Sequence, residues 1–182
     1  MATTLGSPTP AGECGDILQI LDEQRNFLRI AVRGIGDDDA RRRTTVSELT
    51  LGGILRHVTR CERSWAHILL HGDGSMPEAM TDQEQYRMAD GQTLAGLLEE
   101  HAEAARATDR AVAAQPDLDR HCLLPRFPWG PQRDTHWSAR RILLHIIRET
   151  AHHSGHADII REALDGASTT MQMSEVLAGQ AS

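Results

Sequence analysis

Apolar residues recur along this chain at spacings of three, four and seven, the signature of amphipathic helices, and no stretch alternates as a strand does. Ile17, Ile20, Leu21, Phe27, Leu28 and Ala31 predict a first helix from about Asp16 to Arg33, stopped by Gly34 and Gly36. The linker DDDARRRTTVSE follows with opposed charge blocks, a solvated connection with room for one helical turn. Thr50 is set to cap a second helix running to about His71, with Leu51, Ile54, Leu55, Val58, Cys61, Trp65, Ile68 and Leu69 as its stripe and Gly72 and Gly74 as its end. A polar stretch from Ser75 to Asp90 reads as a long loop covering one end of the fold. A third helix is predicted from Thr93 to Ala114, leaving at Gln115-Pro116. Residues 116 to 137, punctuated by Pro125, Pro128, Trp129, Gly130 and Pro131, form an ordered loop. Ser138 caps a fourth helix that reaches Leu164 before Asp165-Gly166, and the tail has a short helix around Met173 to Leu177.

Four such helices predict an all-α fold, an antiparallel four-helix bundle. The length of 182 residues suits one domain: a disordered lead-in over 1–12, the bundle over 13–166 and a tail over 167–182. A net charge of −7 and an aromatic content of 3% argue against nucleic acid, whose binding asks for a basic surface or stacking platforms. No apolar run approaches the roughly 18 residues needed to cross a bilayer, and the start lacks the basic and apolar regions of a signal peptide, so no membrane partner and a cytoplasmic location are expected. Cys14, Cys61 and Cys122 are too scattered for a disulfide framework or a thiolate zinc site. All 19 basic residues are Arg, a bias that fits a GC-rich genome.

The chemistry lies on the fourth helix, where four of the ten histidines fall between His145 and His156. Ile142, Ile146, Ile160 and Leu164 define its buried stripe, and Glu149, His153 and His156 fill the steps between them. A carboxylate buried beside imidazoles costs several kcal/mol unless it is paired, and a divalent cation is a suitable partner. Glu149 and His153, four residues apart, can grip one ion. His57 on the second helix completes a two-histidine, one-carboxylate set that leaves coordination positions open, as catalysis requires. His156 is either a fourth ligand or a hydrogen-bonding neighbour. Taken singly, a core histidine is more often a satisfied structural group. His145 and His152 keep that reading, His67, His71 and His101 are expected at the solvent or at helix ends, and Trp65 and Cys61 are expected to pack.

The segments TLGGILRHVTRCERSW (50–65) and WSARRILLHIIRETAHHSGHADIIREALDG (137–166), with LDEQRNFLRIAVRGIGDDDARRR near the start, resemble the actinobacterial mycothiol-transferase branch of the DinB-like superfamily. The middle, from about Ser75 to Thr135, is distinctive. The resemblance implies a DinB-like bundle holding a divalent metal, zinc or nickel, through His57, Glu149 and His153. Many DinB-like proteins have histidine where Glu149 stands, whereas the related mycothiol-dependent maleylpyruvate isomerase has glutamate. Gly155 matches the pattern, and His156 stands where many relatives have glutamine. The implied chemistry is activation of a low-molecular-weight thiol, mycothiol, as cosubstrate for attack on a small electrophile, with His156 assisting proton movement or completing the metal shell. On that reading Arg60 and Arg148 anchor polar groups of the cosubstrate, and the loop bearing Arg126, Phe127, Trp129 and Trp137 sets selectivity. A homodimer is possible for such a bundle. Three alternatives stay open: a thiol-independent metal-dependent hydrolase or isomerase, a non-catalytic metal or small-molecule binding protein, and a bundle with no metal.

Overall fold

In the computed structural model, which describes residues 12–82 and 84–180, four long helices form the body of the fold. They are α1 (Glu13–Ala31), α3 (Leu51–His71), α4 (Leu94–Ala114) and α5 (Ala139–Asp165), with a one-turn α2 (Asp37–Arg41) in the first linker and α6 (Thr169–Gln180) in the tail. The lead-in expected over 1–12 lies, Gly12 apart, outside the described residues. Thr50, Thr93 and Ser138 cap α3, α4 and α5, each side-chain oxygen accepting from the backbone N–H three residues on. Gly72 and Gly166 end α3 and α5 in the left-handed conformation that glycine adopts without strain. The tail helix is longer than the sequence suggested, and the loop over 116–137 contains a small antiparallel hairpin, β1 (His121–Leu123) with β2 (His136–Ser138), whose strands are too short to show any periodicity.

Each pair of neighbouring helices has a definite direction. Glu13 meets Arg140 and Ala31 meets Arg161, so α1 and α5 run parallel. Glu62 meets Thr108 and Leu70 meets Gln115, so α3 and α4 also run parallel. Cys14 with Pro116 and Arg25 with Asp109 make α1 antiparallel to α4. The ring contacts His57 with His153 and Trp65 with His145 make α3 antiparallel to α5. The simple alternation of an antiparallel bundle is therefore replaced by an up, down, down, up order. The cause is the connection from Gly72 to Thr93, which travels back along α3: Asp82 pairs with Arg56, and Tyr86 and Met88 lie over Gly53 and Gly52. A connection of that length can span a 21-residue helix, about 30 Å.

The apolar core is divided into two clusters, one around Leu21, Leu69, Ile142 and Ile146, the other around Leu28, Leu55, Leu97 and Ile160. Between them every long helix contributes buried polar groups: Arg25 from α1, Thr59 and Glu62 from α3, His101 and Thr108 from α4, and Thr150, His153 and Ser154 from α5. His101, expected at the surface, is fully buried, with Nδ1 3.3 Å from the Thr59 hydroxyl. Burial pushes its pKa down to about 4. Because the unfolded chain takes up a proton near 6.5 and the folded chain does not, this group costs no stability above pH 6.5. It removes about 3 kcal/mol as the pH falls from there to 4. Urea unfolding at pH 7 and pH 4.5 is expected to show a smaller difference in His101→Leu than in the parent chain, and equal differences would contradict the assignment. Among the described residues no helix is long and apolar enough to cross a membrane.

Candidate metal centre

Glycine at 52 and 53 opens one side of α3. A methyl group at Gly53 would run into the Tyr86 carbonyl, and one at Gly52 would come within 2.8 Å of the Met88 sulfur. The returning segment therefore lies close on the helix, fastened by Arg56, which donates to the Glu84 and Arg87 carbonyls and pairs with Asp82 at 2.9 Å. This contact brings Gln85 and Tyr86 onto His57. Gln85 Oε1 is 2.8 Å from His57 Nδ1, and the Tyr86 ring stacks on the imidazole at 4.1 Å.

The consequence is a defined tautomer. Gln85 Oε1 accepts from Nδ1–H, which leaves the lone pair on Nε2, and that atom is buried with no hydrogen-bond partner among the described residues. The antiparallel register of α3 and α5 sets His57 opposite His153 and brings in Glu149 one turn earlier. One ligand atom from each of His57, Glu149 and His153 lies within 4.8 Å of the others. His153 Nε2 is 4.0 Å from Glu149 Oε2. Both rings are nearly buried, at 6% exposure. Burial lowers the pKa of His57, and burial reinforced by His57 takes His153 down to about 4, so both nitrogens keep their lone pairs at neutral pH. Burial pushes the Glu149 carboxyl up, but the hydrogen bond from Arg148 and the field of His145 outweigh it and leave Glu149 charged, below its usual range. Two neutral imidazoles and one carboxylate form a donor set suited to a borderline divalent cation with open positions.

The register of α5 differs from the one read in the sequence. Thr150 and Ala157, not Glu149 and His156, continue the fully buried stripe, while Glu149 lies at its edge with 22% of its side chain exposed. His156 is half-buried and outside the three-residue cluster, its Nδ1 3.5 Å from His153 Nδ1. Arg148 is on the outer side, 2.7 Å from Glu149 Oε1 and largely exposed, and is not on the wall of the adjoining cavity. Arg60, Trp129 and Trp137 are on that wall, Arg60 held by Asp82 at 3.1 Å.

The cavity, about 690 Å³, opens from the cluster along the groove between α3 and α5. Trp65 packs in one apolar cluster and Cys61 against it, as read from the sequence, and both also face the cavity, as does His145, whose Nε2 is 3.7 Å from Glu149 Oε1. Burial pushes the Cys61 thiol up to about 12, so it is held protonated at neutral pH. Cys122 is fully buried near the Leu69 carbonyl, away from the wall. The sequence reading missed Gln85, Tyr86 and Arg141; the one signal for Tyr86 was its being the single tyrosine of an aromatic-poor chain.

Residues 16–166 match the family model described as Mycothiol-S-transferase. The chain belongs to the mycothiol-S-transferase family. Among curated proteins none matches it. A solved structure, of a conserved protein from Enterococcus faecalis, is similar in fold, with a TM-score of 0.61 at 13% identity over 87% of this chain and 100% of the other. Membership makes this mycothiol-S-transferase family protein a thiol transferase by class. In this family member Gln85→Leu leaves the cluster in place but frees the His57 ring to turn, and divalent-metal affinity is expected to drop 10- to 100-fold by isothermal titration.

Proposed function

We propose that the chain is a divalent-metal-dependent transferase of the DinB-like bundle type that joins mycothiol to a small electrophile. The observation carrying this reading is the buried, unpartnered Nε2 of His57 facing His153 and Glu149 at the head of an open cavity. His57, Glu149 and His153 would hold the cation, zinc or nickel. When bound, such a cation makes a coordinating thiol far more acidic and so supplies a thiolate at neutral pH. Gln85 keeps the His57 lone pair directed inward, and His156, next to His153, positions that ring in the same way. Glu149 balances part of the cation's charge, and Arg148 holds its second face from outside. Cys61 stays protonated, leaving the attack to the external thiol. In the transfer a sulfur–carbon bond forms as the bond from carbon to its leaving group breaks. The leaving group departs with the electron pair, and the thiol proton passes to solvent.

The test is to load the purified chain with zinc or nickel, measure metal per chain by elemental analysis, and incubate it with mycothiol and iodoacetamide. One ion per chain and conjugate formation well above the metal-free control are expected. No conjugate above that control, or turnover of an ester that ignores added thiol, would count against the reading.

A further inference from the structure

Of the six aromatic residues in the chain, five line one cavity: Trp65, Tyr86, Phe127, Trp129 and Trp137. Trp65 belongs to one apolar cluster and Phe127 and Trp137 pack against it, so these rings close the core on one side and line the cavity on the other. Tyr86 is at the His57 end. The other four form two stacked pairs, Trp65 on Trp137 at 5.1 Å and 3°, and Phe127 on Trp129 at 5.5 Å and 16°. Trp65 and Phe127 are in contact, with centroids 6.2 Å apart and planes inclined at 49°, so the two pairs join into one bent aromatic wedge. Trp129 is 71% exposed, a large apolar surface left to solvent at the mouth. Trp65 follows His57 by eight residues on one helix, which sets the wedge about 12 Å from the histidine cluster.

Charge on the wall is equally uneven. Glu149, at the cluster end, is its one carboxylate among the described residues. Of the two arginines, Arg60 is held by Asp82, whereas Arg141 has no acidic partner among the described residues and is held over the Trp137 ring at 4.2 Å. A guanidinium fixed in this way is a ready fork for a carboxylate. Ser64, Thr135 and His136 also line the cavity and add neutral hydrogen-bonding groups to its wall.

Resting on the transferase reading above, we infer that the acceptor substrate is an aromatic carboxylic acid carrying an electrophilic carbon. Its carboxylate meets Arg141, its ring packs on the side of the wedge that faces the cluster, and its reactive carbon points along the groove toward His57 and His153.

All three tryptophans are on this wall, so intrinsic fluorescence reports on it without metal or thiol. Titration with 4-methylbenzoate, an unreactive probe, is expected to give saturable quenching, with 4-methylbenzamide binding about tenfold more weakly. In Arg141→Gln the acid-to-amide ratio falls to about one. In Trp129→Ala, an exposed position where folding is not at risk, both probes weaken together. Equal binding of acid and amide by the parent chain, or displacement of 4-methylbenzoate by mycothiol, overturns the inference. The reactive counterpart is 4-(bromomethyl)benzoate, where the thiol sulfur bonds to the benzylic carbon, bromide leaves with the electron pair and the proton goes to solvent. It is expected to be conjugated by the metal-loaded chain at least tenfold faster than its amide, after correction for the uncatalysed rates. Conjugation of iodoacetamide with no such preference sinks this inference and leaves the transferase reading standing. No conjugation of any electrophile, with 4-methylbenzoate still bound, sinks the transferase reading and the acceptor role with it.

Discussion

His153→Ala is expected to abolish stoichiometric metal binding and to lower conjugation by a factor of 100 or more. The side chain is one of the three donors proposed, and the remaining pair, His57 and Glu149, comes from two different helices with no third group among the described residues to close the set. His156 is outside the cluster, its ring against His152 at 4.5 Å. The fold is expected to tolerate the change within about 2 kcal/mol, since the lost imidazole makes no hydrogen bond to the other long helices and is itself penalised by burial. Glu149→Gln provides the complementary test: the shape is kept, the charge is lost, and metal affinity should fall while the α-helical signal stays unchanged. Metal retained at one ion per chain in His153→Ala, with conjugation intact, would show that the cluster is not the metal centre.

The ends of the helices were legible because single residues decide them. Thr50, Ser138, Gly72 and Gly166 each act through their own side chain or their own φ, and each does what its type predicts. Helix direction was not legible, because it depends on where a polar connection travels, and the segment from Gly72 to Thr93 is fixed by glycines and by Arg56 on another element. The site was legible in part. His57, Glu149 and His153 stood out as ionisable groups on apolar faces, but between Ile146 and Ile160 a stripe can run through Glu149 and His156 or through Thr150 and Ala157 with equally good spacing. Packing against α1 chooses the second. Small residues there let α1 approach, with Ser154 donating to the Gln24 carbonyl and Arg161 to the Ala31 carbonyl, and this turns Glu149 toward α3. Arg25 was invisible for a related reason. Its burial depends on partners contributed by two other helices.

That buried pair carries the second large effect. Arg25→Met is expected to destabilise the chain by about 3–5 kcal/mol, a large share of the roughly 5–15 kcal/mol that holds a typical domain folded. Arg25 and Glu62 have side-chain exposures of 2% and 0% and meet in a two-pronged contact, Nη2 to Oε1 at 2.5 Å and Nε to Oε2 at 3.3 Å. Thr108 donates to the same carboxylate at 2.8 Å, and Asp109 approaches the guanidinium at 3.4 Å. Removing the guanidinium leaves a carboxylate in the core with one hydroxyl donor, whereas removing both charges leaves only apolar volume to fit. The double variant Arg25→Met with Glu62→Leu should therefore recover much of the loss, and urea unfolding of the two single variants and the double closes the cycle. A neutral Arg25→Met would mean that the pair contributes nothing and that the apolar clusters alone hold α1 to α3 and α4. The effect should also reach the proposed metal centre, since Glu62 and His57 share α3, five residues apart. If Arg25→Met folds but binds metal more weakly, the polar layer crossing the four helices sets the level at which His57 faces His153.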